Sequence, residues 1–415
     1  MTLQELRDLI PALKQSSYFQ VGGIAPSPQP VIDTMLRWLN YQNQGPADPG
    51  ISAEISALEP RLVDKLAAFI RADPAEIMLN TNCTIGINVV AWGFNWQPGD
   101  VVVLSDHEHP GNLLTWYNLV GRYGIQIRWL KIQNDEGKLL QDLTALLSAH
   151  PPRVVSLSHV SRRTGIRLPA RRISDLVHHY GALLLLDGAQ SFGAIPLDMR
   201  EIDADFYTFS GHKWSLGPKG TGGFYVKSSR LEFLQPSWIG SHSQKSFDAA
   251  GNYELLDSAR RFEFGTHDIA TIAGWEKAID MLSAVGWSQI FETVADLTSL
   301  AKRSLSQIPG LTILTPEPYS QSSGIVTFQI AGLTSAEICK HLYEQHKILA
   351  GGLERDLVMV RLCIHAINTP EEIAALVAAL QRIGNSSLQA PANDKRWPRS
   401  GQVPPCTTST PPSIT

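Results

Sequence analysis

Long apolar runs and paired cysteines are both lacking in this sequence. No stretch reaches the roughly 20 apolar residues that a membrane-spanning helix needs. The amino terminus mixes acidic residues with leucines, whereas a signal peptide would have a continuous apolar stretch. The four cysteines are scattered and form no CxxC pair, so neither a zinc knot nor a disulfide framework is indicated. We expect a cytoplasmic protein with free thiols.

An excess of one charge sign is lacking as well. The chain has 35 basic and 39 acidic residues and a formal net charge of -4. Without a basic field, the expected partner is a small-molecule substrate, and neither a nucleic acid nor an anionic membrane is expected. With 415 residues, 43% of them hydrophobic, the chain is long enough for a large core and for roughly two or three domains.

The hydrophobic pattern divides the chain into four parts. Residues 1–25 contain a short amphipathic helix and a segment broken by glycine and proline, which we predict to be an N-terminal arm outside the core. Residues 26–270 form a large domain, 271–384 a smaller α+β domain, and 385–415, rich in Pro, Ser and Thr, a disordered tail. From residue 77, short apolar runs alternate with amphipathic helical stretches, which predicts an α/β fold with a mainly parallel, doubly wound sheet. In such a fold, ligands bind at the carboxyl ends of the strands.

The most distinctive segment is DFYTFSGHKWSLGPKGTGG, residues 205–223. It begins as a strand-like apolar run and continues into a glycine-rich turn, so we predict that Lys213 lies on a connection after a strand. The spacing is not that of a P-loop, whose lysine follows the last glycine. Taken alone, Lys213 would be a solvated residue on a surface turn.

A second candidate lies at residues 80–88, NTNCTIGIN, where a strand ends and a helix begins near Thr84. The N–H groups and the dipole at a helix start favour a phosphate. An ordinary helix cap by Asn82 or Thr84 is nevertheless the better explanation of this segment alone.

A third candidate is the pair His107 and His109 in VLSDHEHPGN. An HxH pair after a strand could bind a metal together with a nearby carboxylate, as in metal-dependent hydrolases. No matching pair of a carboxylate and a histidine follows a later strand, and His109 could instead lie against a flat ring. Both interpretations stay open at this point.

The fourth candidate, Asp187, follows five hydrophobic residues in ALLLLDGAQSFG and so ends a buried strand. A buried carboxylate is costly unless it meets a cation, and a protonated ring nitrogen would supply one. The stretch from Asp187 to Lys213 has room for one short crossover and one strand, so we predict that they lie on neighbouring strand ends. A lysine, a carboxylate, a phosphate-binding helix start and a stacking histidine together match pyridoxal phosphate.

The segments EHPGN, HVSRRTG, LLLLDGAQ, FSGHKWSLGPKGTGG and RFEFGT occur in this order along the chain. On these segments, from about Tyr18 to Ile383, the sequence resembles the class V aminotransferase family of fold-type I pyridoxal-phosphate enzymes. The family includes cysteine desulfurases, isopenicillin-N-epimerase-like proteins and cyanobacterial cyst(e)ine C–S lyases, and the sequence is most similar to the C–S lyases. The resemblance implies that the large domain, residues 26–270, binds pyridoxal phosphate.

The resemblance also implies a role for each site residue. Lys213 would form the Schiff base with the cofactor, Asp187 would pair with the ring nitrogen and Gln190 would bind the ring hydroxyl. His109 would stack on the ring. The phosphate would be held by residues from both subunits of a homodimer with shared sites: Cys83, Thr84, Ser210, His212 and, from the neighbouring chain, the residue at Thr266.

At the substrate end, the resemblance implies that Arg361 binds the α-carboxylate, a task suited to the guanidinium fork. Cysteine desulfurases need a mobile-loop cysteine as sulfur acceptor, and residues 347–361 contain none. The C–S lyases carry a second arginine where this chain has Gly352, and Arg355 is the candidate replacement. In the desulfurases, the asparagine after HVS contacts the ring hydroxyl of the cofactor, and this chain has Arg162 in its place, so Arg162 with Arg163 could instead serve an acidic substrate.

The resemblance thus implies a pyridoxal-phosphate-dependent enzyme that acts on an amino acid. The leading activity is β-elimination from cysteine or cystine to pyruvate, ammonia and a sulfur product. Desulfuration, epimerisation and transamination are alternatives within the family, since all of them use the same electron sink. A metal-dependent hydrolase with His107 and His109 is the alternative from another class.

Overall fold

The computed structural model describes residues 1–353 and 356–388. Its helices are α1 (Leu3–Asp8), α2 (Gln29–Gln42), α3 (Pro49–Ile70), α4 (Cys83–Trp92), α5 (Pro110–Tyr123), α6 (Glu136–Ala149), α7 (Ala170–His179), α8 (Met199–Ile202), α9 (Ile269–Val285), α10 (Trp287–Leu305), α11 (Ser335–His346) and α12 (Pro370–Leu388). Its strands are β1 (Ser17–Tyr18), β2 (Ile77–Asn80), β3 (Val101–Ser105), β4 (Gln126–Leu130), β5 (Val154–Ser158), β6 (Leu183–Asp187), β7 (Phe206–Ser210), β8 (Gly222–Val226), β9 (Gln244–Phe247), β10 (Tyr253–Leu255), β11 (Leu311–Ile313), β12 (Ile325–Ile330), β13 (Ile348–Leu349), β14 (Gly351–Leu353) and β15 (Asp356–Cys363).

A seven-stranded sheet with the order β2-β8-β7-β6-β5-β3-β4 forms the centre of the large domain. In this spatial order, the five strands from β7 through β6, β5 and β3 to β4 are parallel to one another. Strand β8 is antiparallel to both of its neighbours, β2 and β7. A parallel neighbour needs a crossover, usually a helix, and the connection from Ser210 to Gly222 contains no helix. The turn that carries Lys213 therefore joins two antiparallel strands, and the predicted α/β fold is confirmed.

The sequence of the central strands explains why polar residues lie together at the carboxyl ends of the parallel strands. All five residues of β6 are buried, and four of them are leucines. Strands that are covered by helices on both faces are hydrophobic throughout, so the first polar residue marks the strand end. On β6 that residue is Asp187, which pairs in register with Ser158 of β5 and Thr208 of β7.

The N-terminal arm is part of the core, and the prediction that residues 1–25 lie outside it is wrong. Leu6, Ile10 and Val21 are fully buried within the same hydrophobic cluster as the large sheet. The reason is tertiary contact, because α1 packs on α9 and β1 of the arm pairs in parallel with β13 of the small domain. Local periodicity in the arm carries no signal for that pairing.

The small domain has its own sheet, with the order β11-β12-β15-β14, and its strands are antiparallel. Val326, Phe328 and Leu362 belong to a hydrophobic cluster separate from that of the large sheet. Helix α9 packs instead on α2 and α3. The domain boundaries near residues 25, 270 and 384 stay predictions.

The tail is predicted to be disordered from residue 385, but residues 385–388 form the end of α12. Residues 389–415 lie outside the described residues. Across the two described ranges, no helix combines the length and the apolar character needed to cross a membrane.

Candidate active site

A cavity of about 250 Å³ opens at the carboxyl ends of β5, β6 and β7. The helix starts of α4 and α5 face the same opening, as expected for an α/β sheet. Eight of the predicted site residues lie in its wall: Cys83, Thr84, His109, Asp187, Gln190, Ser210, His212 and Lys213. The structure thus brings together residues that are far apart in sequence, while their roles stay predictions.

Lys213 lies on the turn after β7 and faces the cavity. Burial lowers the pKa of its ammonium group below the ordinary value, and the charges of Arg361 and Arg162 act in the same direction. Cys83 and Asp187 oppose the shift. A lowered pKa increases the fraction of neutral amine, the form that acts as a nucleophile or a base.

Asp187 ends β6 and is only 5% exposed. Its Oδ1 accepts a hydrogen bond of 2.9 Å from the backbone N–H of Ala189. Because β6 and β7 are parallel neighbours, the prediction that Asp187 and Lys213 follow neighbouring strand ends is confirmed. A carboxylate held this rigidly in the wall fits a cationic group of a bound ring.

The end of the cavity near α4 suits an anion. Asn82 occupies the N-cap position but makes no side-chain cap, so the simple capping explanation of this segment fails for Asn82. The backbone N–H of Cys83 donates to Ser210 Oγ at 3.2 Å. His212 Nδ1 is buried and has no hydrogen-bond partner among the described residues. A helix start, a hydroxyl and an orphaned imidazole nitrogen fit a phosphate group.

His109 is held by the start of α5. Its Nδ1 accepts a hydrogen bond of 2.9 Å from the backbone N–H of Gly111. The neighbouring Glu108 is buried, and its carboxylate accepts from Ser158 N (3.0 Å), Ser158 Oγ (2.6 Å) and Asn112 Nδ2 (2.8 Å). Burial raises the pKa of Glu108, although these hydrogen bonds oppose the shift. Glu108 therefore fixes the loop that presents His109, a role that the sequence did not indicate.

The structure does not join His107 and His109 in a metal site. His107 Nδ1 lies 3.0 Å from Ser161 Oγ, and burial lowers its pKa to about 4. In the described part of the chain, the clustered metal-capable side chains are those of Glu59, Glu263 and His267. Neither residue of the HxH pair belongs to that cluster, so the metal-hydrolase alternative has no geometric support.

Gln190 and Thr266 lie in different places relative to the cavity: Gln190 lines its wall, and Thr266 does not. The Gln190 amide donates to the carbonyl of Gly22 at 2.8 Å and accepts from Trp214 Nε1 at 3.0 Å. It thereby joins the arm to the turn that carries Lys213. Thr266 is exposed and lies outside the cavity wall of the single chain. Contacts of both residues with the cofactor stay predictions.

Arg361 approaches the cavity from β15 of the small domain. Its side chain is 8% exposed, and Nη1 donates to the carbonyl of Arg162 at 3.3 Å. A methyl group on Gly23, which lines the cavity, would lie 3.7 Å from Arg361 Nη2. The guanidinium therefore borders the cavity at Gly23. The candidate second arginine, Arg355, lies outside the described residues.

Residues 17–376 match the model of the family described as Aminotransferase class-V. The chain belongs to the class-V aminotransferase family. A probable cysteine desulfurase of Methanothermobacter thermautotrophicus is 31% identical to it over 403 residues, which cover 92% of this chain and 98% of the relative. An isopenicillin N epimerase of Streptomyces clavuligerus is 32% identical over 343 residues, which cover 80% of this chain and 85% of the relative.

Two solved structures of the protein C-DES are also similar to this class-V aminotransferase. One is a mutant with glycine covalently linked to the pyridoxal-phosphate cofactor, with a TM-score of 0.85 and 29% identity over 90% of this chain and 98% of the other. The second is described as the cystine C–S lyase C-DES with its product cysteine persulfide, with a TM-score of 0.83 and 28% identity over 90% of this chain and 99% of the other. The predicted family, fold and pyridoxal-phosphate-dependent class of enzyme are confirmed.

Proposed function

We propose that this class-V aminotransferase is a lyase that breaks the C–S bond of cysteine or cystine. The observation that carries the proposal is the shared cavity of Lys213 and Asp187, with Arg361 at its border. A base with a lowered pKa, a ring partner and a carboxylate-binding fork are the groups that β-elimination requires. The similarity to the cystine C–S lyase C-DES supports this choice within the family.

The residues around the cavity divide into those that would hold the cofactor and those that would act on substrate. Asp187 would hold the ring nitrogen, His109 would cover the ring face, and Ser210 and His212 with the start of α4 would hold the phosphate. When bound, the cofactor supplies an electron sink for the charge that develops on the α-carbon.

The chemical steps follow from the positions of two side chains. Arg361 binds the substrate α-carboxylate as a bidentate fork and thereby orients the α-hydrogen. Lys213 Nζ, whose pKa is lowered by burial, removes the α-proton as the general base. When sulfur is bonded to the β-carbon, it leaves with the electron pair of the C–S bond. Without such a leaving group, return of the proton by Lys213 to the same face regenerates the substrate, and epimerisation requires a proton delivered to the opposite face of the α-carbon.

The cysteine desulfurase alternative needs a reactive thiolate, and the described cysteines are poor candidates. Burial raises the pKa of Cys83 well above its ordinary value and that of Cys339 to about 11. Cys363 is fully buried. Its Sγ lies so close to Gly22 that a methyl group added to this glycine would be 2.7 Å from the sulfur. A sulfur acceptor has to be ionised and accessible, so these thiols favour elimination over desulfuration.

Product analysis tests the proposal directly. The purified protein, loaded with pyridoxal phosphate, is incubated with L-cystine and separately with L-cysteine. Pyruvate and ammonia in equal amounts are expected. Alanine as the main product would establish the desulfurase alternative, and the absence of both products would remove sulfur amino acids as substrates.

We also propose that the enzyme is a homodimer. Exposed aromatic side chains support an interface near the loop of Thr266: Trp238 is 60% exposed and Phe264, two residues before Thr266, is 46% exposed. Together with Phe262 and Phe264, Trp238 lines an apolar groove of about 370 Å³. Exposed apolar surface of this kind is typical of protein interfaces. Light scattering on the purified protein should give twice the chain mass, and a monomer with full activity would exclude a role for Thr266 across the interface.

A further inference from the structure

The cavity wall carries more positive charge than the α-carboxylate of a simple amino acid requires. Two cationic residues, Lys213 and Arg162, line the cavity, and Arg361 borders it at Gly23. In the described part of the wall, Asp187 is the carboxylate. The cofactor phosphate would face the start of α4 and the α-carboxylate would face Arg361. Arg162 adds a second arginine to these surroundings, and a guanidinium can bind a carboxylate.

Arg162 and Arg361 lie on the same side of the cavity. The hydrogen bond from Arg361 Nη1 to the carbonyl of Arg162 fixes the two residues next to each other, at 3.3 Å. Both positive charges also contribute to the lowered pKa of Lys213, after the larger effect of burial. Their fields therefore reach the amine that acts on the α-carbon.

In the described part of the small sheet, the residues that pair with Arg361 are neutral. In the small sheet, Gly351 lies opposite Arg361. A methyl group on Gly351 would lie 2.1 Å from the amide nitrogen of Gln20, so this neutral amide occupies the space above the glycine. Gly352, which stands where the resemblance to the C–S lyases implies a second arginine, has no side chain. Among the described residues around Arg361, the second guanidinium on the cavity wall is that of Arg162.

We propose that Arg162 binds a carboxylate on the leaving group, and that the preferred substrates are amino acids whose β-sulfur substituent itself carries a carboxylate. Cystine and S-carboxymethyl-L-cysteine belong to this class, whereas cysteine does not. The inference rests on the proposed elimination reaction. Lys213 Nζ takes the α-proton, the Cβ–S bond breaks with its electron pair on sulfur, and one water is consumed. The products are pyruvate, ammonia and the carboxylate-bearing leaving group, which is a thiol from S-carboxymethyl-L-cysteine and a persulfide from cystine, so no oxidant or reductant is needed.

A matched pair of substrates isolates the distal charge. S-carboxymethyl-L-cysteine and S-carbamoylmethyl-L-cysteine differ only by a carboxylate and its neutral amide. With the wild-type holoenzyme, we expect a higher kcat/KM for the acid. In Arg162→Gln that preference, the ratio of the two kcat/KM values, should fall about 10- to 100-fold, the value of a lost charge-assisted hydrogen-bond pair. An effect of the lost charge on Lys213 acts on both substrates and cancels in the ratio. Arg162→Lys should retain part of the preference because the charge remains.

Arg163→Gln is the control variant. Arg163 is adjacent in sequence, but it does not line the cavity, and its Nη1 donates to the carbonyl of Asp106 at 3.3 Å. The control should keep the preference for the acid. An equal loss of preference in Arg163→Gln would overturn the assignment to Arg162, and so would an equal loss of both substrates in Arg162→Gln, which would place Arg162 on the cofactor or in the fold.

A binding measurement separates this inference from the proposed function. L-2-Aminoadipate has a CH₂ group in place of the sulfur of S-carboxymethyl-L-cysteine and so lacks a leaving group. Calorimetry should show that the holoenzyme binds it more tightly than its side-chain amide, and that Arg162→Gln removes the difference. If this preference is present but no sulfur amino acid yields pyruvate, the elimination reaction is wrong and the anion site stands. If wild type binds both ligands equally, the anion site is wrong whichever reaction the enzyme catalyses.

Discussion

The two ends of the cavity are built from different kinds of structure. At the end proposed to hold the cofactor, called the cofactor end, Asp187 and Ser210 end adjacent strands and Lys213 follows the second of them, with a register fixed by backbone hydrogen bonds. At the substrate end, Arg361 comes from the separate sheet of the small domain, and Arg162 lies on the loop after β5. One end is thus set by a single rigid sheet, whereas the other depends on how an arm, a loop and a second domain meet.

This difference matches the division of chemical labour in the class-V aminotransferase family. An electron sink and its lysine serve elimination, desulfuration and epimerisation alike, so the end that holds them can stay constant. Substrate choice depends on contacts that are added to the same fold. Changes at the cofactor end should therefore abolish every reaction, and changes at the substrate end should alter selectivity or KM.

The largest effect is expected for Lys213→Ala. Removal of the base should lower kcat about 1,000-fold or more and should also abolish the visible absorption band of the lysine-bound cofactor. The measurements are pyruvate release and an absorption spectrum of the reconstituted protein. Lys219→Ala, at an exposed position on the same turn, is the matched control and should retain both properties. Full activity of Lys213→Ala would refute the distinction between the two ends.

A smaller effect is expected at the substrate end for Arg361→Gln. The loss of a charge-assisted fork should raise KM for the amino acid about 10- to 100-fold, while the absorption band remains. Arg361→Lys keeps the charge without the fork and should lie between the two proteins. Steady-state kinetics together with the spectrum provide the test. A lost absorption band would show that Arg361 supports the cofactor end, contrary to this prediction.

The cofactor end could be predicted from the sequence because the first polar residue after a buried, apolar strand marks the carboxyl end of that strand. Four leucines followed by Asp187 mark the end of a buried strand, and the same logic places Lys213 after the next strand. Periodicity cannot predict the pairing of β1 with β13, which buries the arm between distant segments. Periodicity also does not predict the role of Glu108, because the hydrogen bonds of Glu108 to Ser158 depend on the neighbouring strand β5.

The substrate end is harder to predict from the sequence because the residues that form it come together only through tertiary packing. Arg361 follows an ordinary strand pattern, and its closeness to Arg162 depends on docking of the small domain. Gln190 illustrates the same limit at the cofactor end, since its amide binds the arm and Trp214. No local signal distinguishes a glutamine that contacts a ligand from one that joins two segments.

The loop of Thr266 belongs to neither end in the single chain, and its anchoring by ion pairs gives the smallest predicted effect. His267 Nδ1 lies 2.9 Å from Glu59 Oε1. Burial alone would lower the pKa of His267, but the hydrogen bond to Glu59 and the charges of Glu263 and Glu59 raise it above the ordinary value. The hydrogen bond from His267 lowers the pKa of Glu59. Arg260, at 3.3 Å from Glu263, and the imidazole of His242 are further ionisable groups near this pair in the described part of the chain.

The sign of the pH dependence follows from these two shifts. The raised pKa of His267 means that its contribution to stability is complete below its unfolded pKa of about 6.5 and is lost as the pH rises through the folded value. The lowered pKa of Glu59 means that its contribution is complete above about pH 4.3 and is lost as the pH falls through the folded value. The pair therefore stabilises the fold most between those limits.

His267→Gln should accordingly destabilise the protein by about 1 kcal/mol near pH 6, and the difference from wild type should shrink towards pH 9. Chemical denaturation at several pH values measures it, with His150→Gln at an exposed position as the control, for which no such trend is expected. A difference that stays constant from pH 6 to 9 would show that His267 is not charged in the pair. A shrinking difference, accompanied by weaker dimerisation at high pH, would connect this ion pair to the presentation of Thr266 to a neighbouring site.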